Sequence, residues 1–294
     1  MDDDAAFIEQ CRSAVERRLA ELCPDRAVRP ARLAETAHYA LLSPGKRFRP
    51  MLTLLAAREF GAEMTSALDA ACAFEMVHAA SLILDDLPCM DDAMLRRGRV
   101  TTHREFDEAS AILAAVGLLN QAFGVLSADA GLTAAVKADL CFRLSEAVGF
   151  AGLVAGQSMD LQDRHRERSL AELDLLNHRK TGVLIAAAAE AGALIAGASP
   201  EAVRHVGDFA RHLGLAFQIH DDLLDVQNDA DAGKDLGKDA GMTTVVSVLG
   251  AAGARTVLAE HLQMAEQALV SAGVRRRVLA PYVLGLFEAR KAAA

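Results

Sequence analysis

Apolar residues recur along the chain at intervals of three and four positions, the spacing that places side chains on one face of an α-helix. This spacing predicts helices over 4–22, 31–42, 50–60, 65–87, 106–127, 132–150, 170–195, 201–226, 243–250 with 253–272, and 275–291. The prolines fall at positions 24, 30, 44, 50, 88, 200 and 281, so long stretches lack the residue that most strongly breaks helices. We therefore predict an all-α protein with about ten or more helices.

The connections between these helices carry ordinary turn residues, such as SPGKRFRP at 43–50 and AGASPEA at 196–202. No repeat and no Ser/Pro/Gly linker divides the chain, so we expect one domain over residues 1–294. The charge run QDRHRER at 162–168 is typical of a solvated connection. The segment NDADAGKDLGKDAG at 228–241 is long enough to move, which leaves a lid as the alternative to a plain loop.

Composition narrows the classes of protein. Of 294 residues, 52% are hydrophobic and 24% charged, as in soluble globular proteins with a large core. The five cysteines are an odd number without a CxxC pair, so neither a disulfide framework nor a zinc site is indicated. The net charge of −9 argues against a nucleic-acid partner, which would require a basic face.

The sequence also carries expectations about location. A membrane-spanning helix requires roughly 18 apolar residues. We expect no uncharged apolar segment of this length, and therefore no membrane span. The N-terminal residues MDDDAAFIEQ are acidic, whereas a secretory signal would be basic and then apolar. A cytoplasmic location is therefore expected.

Four aspartates are crowded into the stretch LILDDLPCMDDAMLRRG, at the end of an apolar helix. They are Asp85, Asp86, Asp91 and Asp92. Anions are disfavoured at a helix C terminus, where the helix dipole is negative. Pro88 disfavours further helix at Leu87, so the chain can bend and bring Asp91 back towards the first pair. A solvated acidic loop is the simple interpretation, and a cation held between the carboxylates is the alternative.

A second acidic cluster occurs in GLAFQIHDDLLD at 214–225. It places four polar side chains on one face of a predicted helix, namely Gln218, Asp221, Asp222 and Asp225. Two such clusters facing one another across a cavity would repel strongly unless metal ions lay between them. Carboxylates select hard ions, and Mg²⁺ completes its coordination with water and phosphate oxygens. We therefore predict a Mg²⁺ site with a phosphorylated ligand, with Mn²⁺ as the alternative ion.

A phosphorylated ligand also requires positive partners in this acidic chain. The candidates are Lys46, Arg47, Arg49, Arg96, Arg97, Lys180, Lys234 and Lys238. Arginine suits bidentate phosphate contact, and lysine acts as a point charge. Taken alone, each of these residues would be an ordinary surface cation.

The chain resembles the trans-prenyl diphosphate synthases, and within them the bacterial geranylgeranyl diphosphate synthases of carotenoid and diterpene pathways. The shared motifs are PGKRFRP, AFEMVHAASLILDDLPCMDDAMLRRGRVTTHREF, GLVAGQSMDL, HRKTGVLI, AFQIHDDLLD and GKDAGMTTVVSVLG, in the order and approximate spacing of the family. The resemblance implies the isoprenoid synthase fold, with helices around a central substrate cavity, and a homodimer. It also implies condensation of isopentenyl diphosphate with dimethylallyl, geranyl or farnesyl diphosphate.

The resemblance also implies a role for each matched residue. The Mg²⁺ ions that clamp the allylic diphosphate would be held by Asp85, Asp86, Asp91, Asp221, Asp222 and Asp225. That diphosphate would be assisted by Arg96, Lys180, Thr181 and Gln218. Isopentenyl diphosphate would be bound by Lys46, Arg49, His78 and Arg97. The metals would stabilise the departing diphosphate, and the double bond of isopentenyl diphosphate would attack the allylic cation.

Two positions depart from the family pattern. Leu84 stands where many members have histidine, although carotenoid-type members also have leucine there. Met242 stands where the family motif would supply a lysine near the allylic diphosphate. We expect Lys238, four residues earlier, to replace that lysine.

The length of the product is predicted from the size of the side chains expected beneath the hydrocarbon tail of the allylic substrate. Ala80 lies five positions before the first aspartate, where a bulky aromatic residue limits growth in this family, and Ser81 follows it. These small residues and the two-residue insertion in DDLPCMD predict a twenty-carbon product, geranylgeranyl diphosphate. The alternatives are a farnesyl diphosphate synthase and a non-catalytic regulatory subunit of a heteromeric synthase.

Two further interpretations fit the residues less well. Glu75 and His78 form an ExxH pair, which a ferritin-like di-iron bundle would require twice, together with two further glutamates; Glu35 and His38 also have this spacing, but the clustered carboxylates of the chain are aspartates. A class I terpene cyclase would carry an Asn/Asp, Ser/Thr and Glu triplet in place of DDLLD. It would also not need PGKRFRP for a second diphosphate.

Overall fold

The computed structural model of the chain describes residues 2–27, 30–162, 166–226, 243–274 and 278–292. The helices are α1 Asp2–Leu22, α2 Ala31–Leu41, α3 Phe48–Glu59, α4 Met64–Asp85, α5 Thr102–Glu105, α6 Glu108–Ala128, α7 Ala134–Val148, α8 Leu153–Gln162, α9 Leu170–Asn177, α10 Val183–Ile195, α11 Pro200–Val226, α12 Val245–Ser271 and α13 Leu279–Ala292. The prediction of an all-α protein is confirmed.

The structure differs from the predicted elements in a few places. The predicted helix over 170–195 is divided by a π-helical turn, His178–Gly182, between α9 and α10. Helix α8 was not predicted. Two short strands, β1 Leu95–Arg96 and β2 Arg99–Val100, pair antiparallel in a ribbon that follows the first acidic cluster.

The described residues group into two compact units. The first contains the residues up to Leu54 together with Glu63–Cys141, and the second contains Leu55–Ala62 together with the residues from Phe142 onward. Each unit has its own buried core. That residues 1–294 form a single domain stays a prediction.

The core of the first unit is built on α4, which packs against α1, α2 and α6. From Ala70 to Val77 every residue of α4 is buried, so this helix is covered on all sides rather than along one stripe. Three of these eight residues are alanines, and Phe74 and Met76 are the largest buried side chains. A helix enclosed in this way gives its C-terminal aspartates a rigid base.

The core of the second unit is built on α10 and α11, with α12 packed along α11. Leu173, Ile219 and Leu223 form a buried cluster with the first turn of α12. Helix α12 is kinked at Gly250, whose φ of 69° is open to glycine but rarely to other residues. Farther along, His212 of α11 and His261 of α12 are joined through their Nδ1 atoms, 3.1 Å apart.

Three of the described helices, α4, α6 and α12, are long and apolar enough to cross a membrane when judged by length and composition alone. The expectation that no segment meets this criterion was wrong, since α6 has no charged side chain after Glu108. The most apolar stretch of α4 is 61% buried, whereas that of α6 is 33% buried. Helix α6 therefore leaves much apolar surface uncovered.

Candidate active site

The first acidic motif lies where α4 ends and the chain reverses. The backbone N–H of Asp91 donates to the carbonyl of Asp85 at 2.9 Å, and that of Ala93 donates to the carbonyl of Asp86 at 3.2 Å. Asp92 has a φ of 44°, in the left-handed region that non-glycine residues seldom occupy. The predicted return of Asp91 towards the aspartate pair is therefore present in the structure.

Asp86 is buried and bonded to Arg96. Both Nε and Nη2 of Arg96 donate to Oδ1 of Asp86, at 2.9 and 2.5 Å. Burial raises the pKa of Asp86, and the nearby Asp91 carboxylate adds to this, although Arg96 acts in the opposite direction. Removing this carboxylate from water thus costs more than Arg96 returns, so a further cation would be favourable beside it.

These carboxylates fit a hard divalent ion that brings ligands of its own. Within the described ranges, no three Asp, Glu, His or Cys side chains are arranged to hold a metal by themselves. Mg²⁺ needs only one or two protein carboxylates, because water and phosphate oxygens fill its other positions. The oxygen donors of Asp85, Asp86 and Asp91 are therefore suited to Mg²⁺ carried with a diphosphate.

A cationic cleft lies in the same unit, beside α4. Its empty volume is about 470 Å³, and its lining includes Arg47, His78, Arg96 and Arg97. Nη2 of Arg97 donates to Nε2 of His78 at 3.2 Å. Burial, followed by the surrounding arginines, lowers the pKa of His78 well below its usual value. His78 is therefore neutral and leaves the positive charge of the cleft to the arginines.

The segment 43–50 supplies further cations to this region. Burial lowers the pKa of Arg49 to about 10, and its buried Nε has no hydrogen-bond partner among the described residues. An unpaired buried donor of this kind suits an anionic ligand. Lys46, three residues earlier and before the start of α3, is exposed. Both of these predicted substrate-binding residues therefore stay candidates.

Arg47, which the sequence groups with the phosphate-binding cations, has a different role. Its side chain is 2% exposed and bonds to Glu16 and to Glu75. Because carboxylates of the protein bind the guanidinium group of Arg47 on two sides, this group is not available to bind a ligand. The sequence could not reveal this, since three cations occur within four positions of PGKRFRP.

Gly45 allows Arg97 to approach this segment. A Cβ atom on Gly45 would lie 2.3 Å from Nη1 of Arg97, closer than any real contact. Nη1 of Arg97 also donates to the carbonyl of Pro44 at 3.2 Å. The absence of a side chain at Gly45 therefore sets the position of a predicted substrate-binding arginine.

In the second unit, Lys180 lies in the π-helical turn, which packs against α8. Its Nζ donates to Oδ2 of Asp160 at 2.6 Å. A Cβ on Gly156 would lie 2.5 Å from the backbone nitrogen of Lys180, so α8 can approach the turn only with glycine there. Asp160 and the buried Gln157 were not singled out by the sequence argument, although both belong to the motif GLVAGQSMDL.

The second acidic motif lies on α11, as predicted. Nε2 of Gln218 donates to Oδ1 of Asp222 at 2.9 Å, one helical turn away. Asp222 is buried and Asp221 is half-buried. The π-helical turn packs against α11, with Gly214 close to Gly182. The predicted residues Lys180, Thr181, Gln218, Asp221 and Asp222 therefore belong to two elements that are in contact.

Several predicted residues cannot be placed. Lys234, Lys238 and Met242 lie outside the described residues, as does the side chain of Asp225. The proposed substitution of Lys238 for the missing lysine stays a prediction. The two acidic motifs belong to different units, so the expectation that metal ions lie between them also stays a prediction.

The two predicted chain-length residues lie on α4. Ala80 is 3% exposed, and Ser81 is half-buried with its hydroxyl donating to the carbonyl of His78 at 2.9 Å. Both side chains are small, and the hydroxyl of Ser81 is turned onto its own helix. No bulky group is therefore contributed by these two positions.

A family model described as polyprenyl synthetase matches residues 30–269. The chain is 44% identical to a geranylgeranyl diphosphate synthase of Pantoea ananas, covering 99% of this chain and 95% of that protein. It is 40% identical to a farnesyl diphosphate synthase of Geobacillus stearothermophilus, covering 97% of each.

Two solved structures are similar over nearly the whole chain. An FPP/GFPP synthase from Zymomonas mobilis has a TM-score of 0.85 at 33% identity, covering 99% of each chain. A geranyltransferase from Helicobacter pylori, complexed with magnesium and isoprenyl diphosphate, has a TM-score of 0.84 at 27% identity. The match covers 99% of this chain and 98% of that one.

Proposed function

Because the chain belongs to the polyprenyl synthetase family, we propose that it condenses isopentenyl diphosphate with an allylic diphosphate to give geranylgeranyl diphosphate. The chain is a trans-prenyltransferase with the isoprenoid synthase fold. One observation carries the proposal. The carboxylate motif at the end of α4 and the arginine-lined cleft beside α4 lie on the same helix, and Arg96 belongs to both. His78 and Asp85 are seven residues apart, which is about 10 Å along a helix.

The carboxylate motifs serve the allylic diphosphate in this proposal. Mg²⁺, with Mn²⁺ as the alternative, would be held by Asp85, Asp86, Asp91, Asp221, Asp222 and Asp225. When bound, such ions supply Lewis-acid stabilisation of the negative charge on the departing diphosphate. Lys180 and Thr181 donate to that diphosphate from the π-helical turn, and Gln218 orients Asp222 through its amide.

The cationic cleft serves isopentenyl diphosphate. Lys46, Arg49 and Arg97 supply positive charge to its diphosphate, and bidentate arginine contacts fix the orientation of that group. Neutral His78 accepts a hydrogen bond from Arg97 at Nε2, so its remaining proton lies on Nδ1, available as a donor. The apolar alanine-rich face of α4 excludes water from the allylic cation while the new bond forms.

The product is assigned from the small residues at Ala80 and Ser81, which leave room for a longer tail. The similarity to a farnesyl diphosphate synthase of Geobacillus stearothermophilus supports farnesyl diphosphate as the second candidate product. We propose that the product is a precursor of carotenoids or diterpenes.

We also propose that the chain acts as a cytoplasmic homodimer without a membrane span or a nucleic-acid partner. Ile112, Leu113 and Val116 lie on one face of α6, and more than 40% of each is exposed. The other exposed residues of α6 after Glu108 carry no charge, as a face that packs on a second copy requires. A monomer at micromolar concentration in analytical ultracentrifugation would contradict the dimer.

The function is tested by incubating the purified protein with Mg²⁺, isopentenyl diphosphate and each of the three allylic diphosphates, and then sizing the products. We expect a twenty-carbon product that disappears when EDTA removes the metal. A fifteen-carbon product would favour the farnesyl alternative. No condensation with any starter would indicate a non-catalytic subunit.

A further inference from the structure

Glu75 is a buried carboxylate surrounded by the cations of the cleft in the first unit. Its side chain is 3% exposed, and its Oε1 accepts a hydrogen bond from Nη1 of Arg47 at 3.0 Å. The charge of Glu75 also acts on Arg49 and Arg97. Burial lowers the pKa of each of these arginines, and the Glu75 carboxylate offsets part of this lowering. Asp86, the other buried carboxylate near these groups, bonds to Arg96. Glu75 thus balances three guanidinium groups.

Arg47 connects Glu75 to the segment 43–50. Besides Glu75, the guanidinium of Arg47 donates to both carboxylate oxygens of Glu16, at 2.7 and 3.1 Å, and to the carbonyl of Ser43 at 2.9 Å. The backbone of Arg47 has a φ of 47°, in the left-handed region that is unfavourable for a residue with a side chain. The bonds of the Arg47 side chain therefore hold a strained backbone in place.

That strained position determines where the neighbouring cations lie. Arg47 follows Lys46 directly, and its carbonyl accepts from Met51 in the first turn of α3, the turn that contains Arg49. Arg97 is fitted against the same segment by the space at Gly45. A change in the backbone of Arg47 would thus displace cations on both sides of it.

We propose that Glu75 is a positioning residue for isopentenyl diphosphate, because its carboxylate holds Arg47, and through Arg47 the segment with Lys46 and Arg49, in the binding conformation. This inference rests on the proposed function. A competing possibility is that Glu75 is only a negative charge near the cleft. In that case its removal would strengthen the binding of a diphosphate, so the two possibilities differ in sign.

The test is Glu75→Gln, which keeps the shape and a hydrogen-bond acceptor but removes the charge. We expect the KM for isopentenyl diphosphate to rise about 10-fold or more, because a charged buried hydrogen bond is weakened. The KM for the allylic diphosphate and kcat should change less than about threefold. Calorimetric titration with isopentenyl diphosphate alone should show the same loss of affinity.

An unchanged or lowered KM for isopentenyl diphosphate in Glu75→Gln would overturn the proposal. Equal rises in the KM of both substrates would also overturn it, because Glu75 would then support the fold in general. An inactive wild-type protein would overturn the proposed function itself. An active wild type with an unaltered variant would overturn only the role of Glu75.

A second variant guards against misfolding of Glu75→Gln. Glu16 holds the other side of Arg47 and its side chain is 44% exposed, so Glu16→Gln should fold. We expect a smaller rise, of about threefold, in the KM for isopentenyl diphosphate alone.

The matched control is Asp69→Asn. This variant breaks the Arg18–Asp69 ion pair, which joins the same two helices, α1 and α4, at 2.7 and 3.0 Å. It should lower Tm while leaving both KM values unchanged. If it raised the KM for isopentenyl diphosphate as much as Glu16→Gln, general loosening of α1 and α4 would explain the effect and the proposal would fail.

Discussion

Replacing Asp86 with asparagine tests whether this buried carboxylate is retained for a metal rather than for the fold. Asp86 is 3% exposed and accepts two hydrogen bonds from Arg96. A hydrogen bond to a charged group contributes about 1.5–3 kcal/mol and a neutral one about 0.5–1.5 kcal/mol, so weakening both should cost roughly 2 kcal/mol.

A second effect acts against that loss. Burial raises the pKa of Asp86 even with Arg96 beside it, so the ionised carboxylate is held at a net desolvation cost. The neutral amide of asparagine removes this cost. Because the side chain of Arg96 is 28% exposed, water can solvate its charge when the carboxylate is removed. We therefore expect the free energy of unfolding of Asp86→Asn without metal to differ from wild type by about 1 kcal/mol or less.

The effect on catalysis should be much larger than the effect on stability. Loss of one metal ligand should lower kcat/KM by about 100-fold or more, which corresponds to about 2.7 kcal/mol of transition-state stabilisation. Wild type with Mg²⁺ and an unreactive allylic analogue, each at about 100 times its dissociation constant, should gain about 2.7 kcal/mol of stability from each bound ligand. The variant should gain less.

The assays are calorimetric unfolding, with EDTA and with Mg²⁺ plus the analogue, and incorporation of labelled isopentenyl diphosphate. Asp92→Asn is the matched control, because Asp92 is an exposed aspartate of the same cluster that pairs with Arg104. The control should keep near wild-type activity. Full activity in Asp86→Asn, or a loss of activity explained by unfolding alone, would refute the reasoning.

Three other substitutions give separate predictions. Ala80→Phe should shift the product from twenty to fifteen carbons, and an unchanged product would place the stop elsewhere. Gly45→Ala should raise the KM for isopentenyl diphosphate several-fold, because the new Cβ must displace Arg97; steady-state kinetics measure this, and an unchanged KM contradicts it. Burial lowers the pKa of His212 to about 4, below its unfolded value near 6.5. Its stabilising contribution is therefore present above pH 6.5 and is lost as pH falls. When the pH is lowered from above 6.5 to 5, we expect the free energy of unfolding to fall by about 1 kcal/mol more in wild type than in His212→Asn, as measured by thermal unfolding. Equal losses in the two proteins would contradict this.

The helices could be predicted because their apolar spacing is strong and prolines are rare. The return of Asp91 was also predictable, since Pro88 prevents the helix from continuing. The π-helical turn at 178–182 could not be predicted. The apolar spacing of 170–195 is that of a continuous α-helix, and nothing in the local sequence indicates the extra residue that a π-helical turn contains. Helix α8 was not predicted because it contains Gly156, and glycine has a low helix propensity. Glycine is needed at this position because the backbone of Lys180 approaches it closely.

The candidate site was predictable in its residue types but not in all of their roles. The aspartates could be recognised because they lie close together in the sequence. The role of Arg47 depends on Glu16 and Glu75, which lie on two other helices and are brought to it only by folding. Asp160 likewise gains its meaning from contact with Lys180 rather than from its neighbours in sequence.

The most direct measurement is a crystal structure of the protein grown with Mn²⁺ and an unreactive allylic diphosphate analogue, with the metal located by anomalous scattering. We predict metal peaks within coordination distance of carboxylates from both acidic motifs, with diphosphate oxygens completing each coordination shell. Metal at only one motif, or a diphosphate bound without metal contact to Asp85 and Asp221, would contradict the proposed site.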